Sequence, residues 1–476
     1  MTGELGRAAA TCLFPSFDSV TAPDWVLRWL ERGLGGVVLF ARNIESPDQV
    51  SSLARSLRAE RSDLLIATDE EGGDVTRLES RTGSSYPGNW ALGVVDDTAL
   101  TQQVAASIAG ELAAVGINYD LAPVADINSN AANPVIGIRS FGSEPALVAR
   151  QVAAFVTGLQ GQGVAACAKH FPGHGDTSQD SHLELPVVDG DLEEALEPFR
   201  AAIAAGVRSV MTAHVRVPSL DDEQATLSPR ILQELLRAEL GFAGVAITDA
   251  LEMRAISATV GIEEGAVRAL AAGADALCLG AEVDDRLVES THGAILEAVT
   301  SGRLTSERLL EAAARVDELA VWAREPSAEA PRRGLGADVA RRALEVKGEV
   351  RISGRPLVLD LRPTASIAAG EVMHSLGDVL EASETIVLVE GEPVAVPPSD
   401  GRPVVIVLRD AHRHEWERAA AERLLTDASE AVVVEVGLPL WRPAGVPWIA
   451  THGSGRVNLE AAAGALGGFG EAQQPE

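Results

Sequence analysis

The chain is poor in cysteine and in basic side chains. Its 476 residues include three cysteines, Cys12, Cys167 and Cys278, which are far apart in sequence. An odd number of scattered cysteines predicts neither a disulfide framework nor a zinc ribbon, and it is typical of a reducing compartment. Lys and Arg number 39 against 69 Asp and Glu, which gives a formal net charge of −30. This excess of negative charge argues against nucleic acid or an anionic membrane as a main partner.

Long apolar runs are also missing. No stretch approaches the roughly 18 consecutive apolar residues of a membrane-spanning helix. The first residues, MTGELGRAAATCLF, lack a basic start followed by a long apolar run, so we expect no secretory signal. We therefore expect a cytoplasmic protein without a membrane partner. Apolar residues still make up 46% of the chain, which is enough for a large core.

Short apolar segments alternate with amphipathic helical segments over the first three hundred residues. The strand candidates are AAATCLF (8–14), GGVVLF (35–40), LLIATD (64–69), INYDLAPV (117–124), AACAKH (165–170), SVMTAHV (209–215), GVAITD (244–249) and ADALCLG (274–280). Glycine ends many of the intervening helices just before the next strand. Eight strands with intervening helices predict a (β/α)8 TIM barrel, and an open doubly wound sheet is the alternative.

Polar side chains at the ends of separate strands favour the barrel. They are Asp69, Lys169, His170, His214 and Asp249, and the loops after Val124 add Asp126 and Arg139. In a parallel barrel the carboxyl ends of the strands converge on one face, where the active site lies.

The pattern changes near Arg324. The segment REPSAEAPRRGLG is rich in Pro, Gly and charge and indicates a linker. Further apolar strand candidates follow it: PLVLDL, TIVLVE, PVVIVLRD, AVVVEVG and WIATHG. We predict a catalytic barrel over 1–324, a linker over 325–336 and a smaller α/β sandwich domain over 337–476.

The stretch KHFPGHGDTSQDSH, residues 169–182, holds three of the nine histidines. His170 and His174 are four apart, but the intervening Pro-Gly pair argues against the helix that would align them as metal ligands. A polar loop is a second interpretation. A proton-transfer site is the third, because in an extended segment Asp180 and His182 project to the same side. A carboxylate partner fixes the imidazole tautomer and raises its pKa. His174 and Asp176 are expected to shape the loop.

Asp249 ends the apolar segment GVAITD and is followed by ALEM, which favours a helix. Its carboxylate would lie at the barrel mouth as a nucleophile, a base or a metal ligand. The alternative is a helix N-cap.

These motifs together resemble glycoside hydrolase family 3, in its bacterial β-N-acetylglucosaminidase branch. The resemblance rests on KHFPGHGDTSQDSH and ITDALEM, and it extends to GGVVLFARNI, ATDEEGGDVTRL, LAPVADINSNAANPVIGIRSFGSEP and ATLSPRILQELLRAELGFAG. It covers nearly all of residues 30–260 and implies a barrel followed by an α/β sandwich.

The resemblance also implies roles for individual residues. Asp249 would be the nucleophile, and His182 the general acid/base, oriented by Asp180. The sugar would be held by Asp69, Arg77, Arg139, Lys169 and His170. Glu70 stands where many relatives have Gln, and Asp74 where many have Arg; both exchanges are expected to make the rim of the site more acidic.

The sequence therefore predicts a retaining exo-β-N-acetylglucosaminidase that acts on small carbohydrates with terminal N-acetylglucosamine, such as cell-wall fragments in peptidoglycan recycling or chitin-type oligosaccharides. Neither a cofactor nor a metal is expected. A phosphorylase with the same Asp/His machinery is an alternative, because a neutral histidine would not repel phosphate. A non-catalytic carbohydrate-binding protein is a more remote alternative.

Overall fold

A computed structural model describes residues 2–323, 330–332, 334–363, 374–380, 384–391 and 400–467. The chain forms two compact units. The first comprises Met1–Glu71, Asp97–Ile136 and Ser140–Arg332, and the second comprises Gly72–Asp96, Gly137–Arg139 and Arg333–Glu476. The linker predicted over 325–336 lies largely outside the described residues, and the predicted domain limits remain a prediction.

The first unit is an α/β fold with a curled parallel sheet. Its strands are β1 (Leu13–Pro15), β2 (Gly36–Leu39), β3 (Leu65–Thr68), β4 (Tyr119–Asp120), β5 (Ala165–Phe171), β6 (Ser209–Thr212), β7 (Arg216–Val217), β8 (Asp221–Gln224), β9 (Val245–Thr248) and β10 (Leu277–Gly280). Six of them pair in the order β2-β3-β4-β5-β6-β9, and β1 pairs with β10; all these pairs are parallel. A parallel bridge between Ile247 and Ala276 lies where β9 meets the start of β10.

Helices connect these strands. They are Thr2–Thr11, Asp24–Glu31, Pro47–Glu60, Thr98–Ala114, Pro145–Gly161, Leu192–Ala204, Arg230–Glu239 (a π-helix), Arg254–Ser257, Ile262–Ala272, Asp285–Thr300 and Ser306–Trp322, with short 3-10 helices at Ala41–Asn43 and Ala225–Leu227. Several begin at a polar cap predicted by helix chemistry. Asp97, Asp284 and Thr305, for example, each accept an amide hydrogen bond from the first turn. None of the described helices meets the length and apolarity needed to cross a membrane.

Two strand predictions need correction. Residues 8–11 of AAATCLF belong to the helix Thr2–Thr11, and the strand begins only at Leu13. Alanine favours helix, and the three alanines in this segment extend the helix. Within INYDLAPV the regular strand is limited to Tyr119–Asp120, and a separate parallel bridge joins Val124 to Lys169 of β5; between them, Pro123 has no amide hydrogen to continue the regular ladder. The other six predicted strands each contain an observed strand.

The second unit contains a six-stranded sheet. Its strands are β11 (Glu345–Lys347), β12 (Leu357–Arg362), β13 (Glu384–Val389), β14 (Val404–Leu408), β15 (Ala431–Glu435) and β16 (Trp448–Ala450), in the order β11-β16-β15-β14-β12-β13. β11 is antiparallel to β16, and the other pairs are parallel. The helices are Asn89–Val95, Leu335–Ala343, Glu415–Asp427 and Arg456–Ala465, with 3-10 helices at Gly137–Arg139 and Leu376–Asp378.

Alternate residues of this sheet enter two different apolar clusters. Val358 packs in the cluster that includes Leu459 and Ala462 of the helix Arg456–Ala465. Leu359 packs in the cluster that includes Ala421, from the helix Glu415–Asp427. Because successive side chains of a strand point to opposite faces, both faces of the sheet are covered.

Candidate active site

Asp249 directly follows β9, at the carboxyl end of a strand of the curled sheet. Its amide donates to the carbonyl of Thr212 at the end of β6, over 3.2 Å. The helix predicted from ALEM is wrong, because residues 250–253 form a turn and the next helix is Arg254–Ser257. Asp249 therefore does not cap a helix. Its Oδ1 accepts the amide of Ala250 at 2.8 Å instead.

The carboxylate of Asp249 is held in its ionised form. Burial raises the pKa of this group, but the charges of His170, His214 and His182 and the Ala250 amide together lower it to about 2. The charges that act on Asp249 thus come from β5 (His170), from the loop after β5 (His182) and from the residues after β6 (His214). An ionised, partly exposed carboxylate in this position can act as a nucleophile.

Asp180 and His182 form a hydrogen-bonded pair in the loop after β5. Oδ1 of Asp180 accepts from the amide of His182 at 2.8 Å and lies 2.7 Å from its ring Nδ1. The contact arises in a turn, not in the extended segment assumed from the spacing, since the Asp180 carbonyl accepts the amides of Leu183 and Glu184. The pair leaves Nε2 of His182 as the ring nitrogen available for proton transfer. Burial raises the pKa of Asp180, but the hydrogen bond and charge of His182 lower it below its ordinary value.

Lys169 and His170 lie near the end of β5, where its register with β6 shifts between Ala168 and Phe171. Such irregularities redirect side chains next to active sites. Nζ of Lys169 lies 2.7 Å from both Asp69 Oδ1 and Glu71 Oε1. Lys169 is buried, and the chain has one other lysine, Lys347. Two charged partners keep a buried ammonium ionised.

Asp126, in the loop after β4, anchors His170 at the end of β5 and His174 in the loop after it. Its Oδ2 lies 2.7 Å from Nδ1 of His170, and its Oδ1 accepts the amide of His174 at 2.7 Å. Asp126 is fully buried. Burial raises the pKa of this carboxyl, but the charge and hydrogen bonds of His170 and His174 hold it below its ordinary value.

His174 is a buried neutral histidine. Its Nδ1 lies 2.8 Å from the hydroxyl of Thr177, and its Nε2 lies 2.9 Å from the hydroxyl of Ser181. Burial lowers its pKa to about 4. These contacts fit the prediction that His174 shapes the loop.

His214 follows β6 and is fully buried. Its Nε2 lies 3.1 Å from the carbonyl of Ala250, so this nitrogen is the donor, and Nδ1 lies 2.8 Å from the hydroxyl of Thr226. Burial lowers the pKa of His214. A histidine held at both nitrogens fixes the carbonyl of Ala250, the residue after Asp249.

Arg77 and Arg139, two predicted sugar-binding residues, belong to the second unit. Arg77 is 8% exposed. Arg139 ends the 3-10 helix Gly137–Arg139, and its carbonyl accepts a hydrogen bond from Asn89 at 2.7 Å. The six other predicted site residues, Asp69, Lys169, His170, Asp180, His182 and Asp249, lie in the first unit.

The two exchanged carboxylates do not form an acidic rim. Glu70 is 5% exposed, and its amide donates to Asp120. Asp74 is half-buried and belongs to the second unit, where its carboxylate pairs with Arg409 at 2.5 Å and accepts the amide of Ser454 at 2.7 Å. The charge of Asp74 is therefore neutralised by an ion pair within the second unit.

Two groups of the first unit were not assigned a role from the sequence. Glu71 is the second partner of Lys169, and Asp126 anchors His170 and His174. Both residues have a weak signal in the sequence: Glu71 lies two residues after Asp69, and Asp126 lies in a loop that follows a predicted strand. Their partners are about a hundred and about forty-five residues away, which spacing alone does not reveal.

Comparison with known proteins identifies the class. The model of the glycosyl hydrolase family 3 N terminal domain matches residues 23–319. The chain belongs to this family and is a glycoside hydrolase.

Individual relatives make the comparison more specific. The beta-hexosaminidase of Nitrosomonas eutropha is 39% identical over 289 residues, which are 58% of this chain and 82% of the relative. Beta-hexosaminidase A of Pseudoalteromonas piscicida is 34% identical over 343 residues, 66% of this chain; the match spans 56% of that relative's length. The structure of a glycoside hydrolase family 3 beta-N-acetylglucosaminidase from Paenibacillus sp. str. FPU-7 is similar with a TM-score of 0.86 and 33% identity, over 97% of this chain and 96% of that one.

Proposed function

We propose that this enzyme removes terminal β-linked N-acetylglucosamine from the non-reducing ends of small carbohydrates. The observation that carries the proposal is an ionised carboxylate, Asp249, whose charge is stabilised by three histidines, one of which, His182, is paired with Asp180. The names of the relatives, beta-hexosaminidase and beta-N-acetylglucosaminidase, supply the sugar.

The reaction would be a retaining double displacement. Asp249 attacks the anomeric carbon while His182 gives its Nε2 proton to the departing glycosidic oxygen, and a glycosyl ester forms on Asp249. His182 then takes a proton from water, which attacks the same carbon and releases the sugar with its original configuration. Asp180 keeps the imidazole in one orientation and stabilises it when it is charged.

Within the first unit, the sugar itself would be held by Asp69, Lys169 and His170. Lys169 and Asp69 already form an ion pair, and His170 is fixed by Asp126. Carboxylates and cationic groups in fixed positions are strong hydrogen-bond partners for hydroxyl and acetamido groups. A pocket of this kind suits one terminal sugar and predicts exo action.

The substrate is tested with two chromogenic glycosides. We expect kcat/KM on 4-nitrophenyl β-N-acetylglucosaminide to be well above kcat/KM on the matching β-glucoside. Equal rates on both, or a preference for the glucoside, would contradict a site built for the acetamido group.

The division of roles is tested with variants and azide. Asp249→Ala should nearly abolish turnover of every substrate, because it removes the covalent route. His182→Ala should accumulate the glycosyl-enzyme with a nitrophenyl substrate, giving a burst and then slow turnover. Azide needs no deprotonation and should restore the rate with formation of the β-glycosyl azide. Absence of both the burst and the rescue would show that His182 is not the acid/base.

Phosphorolysis is a second candidate, favoured by the use of a histidine. Once it has lost its proton, His182 is uncharged and would not repel a phosphate anion as a carboxylate would. In phosphate buffer, N-acetylglucosamine 1-phosphate as the main product would establish phosphorolysis, and free N-acetylglucosamine would establish hydrolysis.

We further propose that the eight parallel strands close into a (β/α)8 barrel and that the second unit is an α/β sandwich domain. Closure is supported by the Gly35 amide, one residue before β2, which donates to the Ala10 carbonyl at 3.2 Å. The sandwich is supported by the two apolar clusters on the faces of the second sheet. An experimental structure with β1 and β2 separated would contradict the barrel.

The cellular role is proposed from the cysteine content and the substrate class. Three free, buried cysteines suit a reducing compartment. A cytoplasmic enzyme with this activity would act on cell-wall fragments that return to the cytoplasm, as in peptidoglycan recycling. Accumulation of such fragments with terminal N-acetylglucosamine in a deletion strain would support this role, and an unchanged fragment pool would contradict it.

A further inference from the structure

The Asp180–His182 pair lies in a segment without helix or strand. Residues 172–191 of the loop after β5 form turns and bends, apart from a single bridge at Val187. The pair's own hydrogen bonds stay inside the turn formed by Asp180–Glu184. A general acid must be held in one geometry relative to the bond that it protonates, so this turn needs an anchor.

Ser181, the residue between the two members of the pair, supplies a contact with the rest of the loop. Its side chain is buried, in contrast to the exposed Ser178 and Leu183. Its hydroxyl lies 2.9 Å from Nε2 of His174. Among the described residues, this is the hydrogen bond that ties the 180–184 turn to the first half of the loop.

His174 is itself anchored on three sides. Its amide donates to Asp126, its carbonyl accepts from Asn133 at 2.8 Å, and its Nδ1 contacts the Thr177 hydroxyl. The two hydroxyls that face the ring, those of Thr177 and Ser181, can each donate or accept. Either neutral tautomer of His174 therefore keeps both side-chain hydrogen bonds.

One buried carboxylate thus connects two parts of the proposed site. Asp126 binds the ring of His170, a proposed sugar-binding residue, through Oδ2, and the backbone of His174 through Oδ1. From His174 the connection continues to Ser181 and so to the acid/base pair. A shift of His174 would move His182 relative to His170.

We infer that His174 and Ser181 are positioning residues, whose Nε2–Oγ hydrogen bond holds the Asp180–His182 pair in the geometry for proton transfer to and from the sugar. The inference rests on the proposed function, since it assigns the pair the acid/base role. It gives His174 a function beyond shaping the loop, because its ring acts on the orientation of another residue's ring.

The test compares two leaving groups in a variant that removes one hydroxyl. Ser181→Ala should lower kcat/KM on N,N′-diacetylchitobiose roughly ten-fold or more, because its sugar leaving group needs a proton and general acid catalysis is worth about 10²–10⁴-fold. On 4-nitrophenyl β-N-acetylglucosaminide, whose leaving group departs without a proton, kcat/KM should change less than about two-fold. Ser178→Ala, an exposed serine of the same loop, is the matched control and should leave both values unchanged.

A loss of packing alone would lower kcat/KM on both substrates by the same factor, and that result would overturn the inference. No change on either substrate would overturn it as well. His174→Gln should reproduce the difference between substrates; if that variant does not fold, Ser181→Ala decides alone.

His182→Ala is measured in parallel to separate two failures. If His182→Ala shows the difference between substrates and Ser181→Ala does not, the positioning role is wrong while the proposed function stands. If His182→Ala lacks the difference too, the acid/base assignment itself fails, and the inference fails with it.

Discussion

The charge of Asp249 is set by its surroundings and not by exposure to water. Burial alone would favour the protonated acid, but three imidazoles and an amide outweigh it, and the pKa is about 2. A nucleophile with such a pKa remains ionised across the pH range in which glycosidases are assayed. The lower end of the pH–rate profile must therefore report another group.

The low pKa of Asp249 predicts the pH profile of a variant. With 4-nitrophenyl β-N-acetylglucosaminide, kcat/KM of His182→Ala should be flat between about pH 4 and pH 8, because the leaving group needs no acid and because His170, His214 and the Ala250 amide still hold Asp249 in its ionised form. A fall in kcat/KM of the variant near pH 4 to 5 would mean that Asp249 titrates there.

A single glycine permits the close packing of the loop that carries the acid/base pair. A Cβ added to Gly175 would lie 1.8 Å from the carbonyl oxygen of Ile127. Backbone cannot yield as a flexible side chain can, so Gly175→Ala should displace the loop and lower kcat/KM on chitobiose by at least about ten-fold. Gly161→Ala is the control, because a Cβ there meets nothing within 4 Å. Equal kcat/KM in the two variants would contradict this reading of the loop.

The sequence revealed the residue types of the site better than their geometry. The spacing of Asp180 and His182 predicts that their side chains pair. They do pair, but within a turn and not within the extended segment that the spacing suggests. The contacts of Asp126 and Glu71 depend on which loops the sheet brings together, and no local pattern carries that information. The roles of the site residues remain predictions that the variants above test.

At the level of elements, a buried carboxylate joins two helices to the start of a strand. Asp275, just before β10, is fully buried and forms ion pairs with Arg237 of the helix Arg230–Glu239 and with Arg308 and Arg315 of the helix Ser306–Trp322. Its Oδ2 also accepts the amide of Ala246 at 3.0 Å. These contacts lie at the amino ends of β9 and β10, opposite the strand end that carries Asp249. In barrels, this end contributes to stability and not to catalysis.

Removing the charge of Asp275 should therefore affect folding without affecting the site. Asp275→Asn removes the negative charge with which three arginines form ion pairs. It should lower the free energy of unfolding by about 3–5 kcal/mol and leave KM unchanged. Glu311 pairs with two of the same arginines at the surface, so Glu311→Gln should cost less than about 1 kcal/mol. Urea unfolding measures both; a similar small loss in the two variants would contradict the role of Asp275.

The helices and strands of the chain were predictable where local sequence preferences determine the structure. Apolar β-branched segments became strands, and polar caps marked helix starts. The prediction failed at Ala8–Thr11, where helix propensity extends into an apolar segment, and at ALEM, where the contacts of the Asp249 turn override it. β11, with only three residues, lacks an apolar run that could have revealed it.

For the whole molecule, two sets of carboxyl groups, one in each unit, act on stability in opposite directions. Asp126, Asp180 and Asp249 of the first unit have pKa values below the ordinary value of 3.8. The stability that they contribute is present above about pH 4 and is lost as the pH falls through their folded-state values. In the second unit, burial, together with neighbouring carboxylates, raises the pKa of Glu417 to about 9 and that of Glu435 to about 8. Their contribution is complete below about pH 4.5 and is lost as the pH rises through 8 to 9.

Hydrogen exchange resolved by peptide should separate the two effects. Between pH 5 and pH 9, protection corrected for intrinsic exchange should fall for peptides of β14 and β15 more than for peptides of β5 and β9. Glu417→Gln keeps the shape of the side chain without its proton equilibrium and should remove part of that fall. An unchanged pH dependence in Glu417→Gln would show that this carboxyl is not buried in its neutral form.

The distribution of lysine has a practical consequence. Lys169 is buried and bound by Asp69 and Glu71, whereas Lys347, in β11, is exposed. An amine-reactive ester needs an accessible, unprotonated amine, so it should attach to Lys347 and to the α-amino group and spare the proposed sugar pocket. The enzyme could then be coupled to a resin or a fluorophore through these two amines, and peptide mapping should find Lys169 unmodified until the chain is denatured.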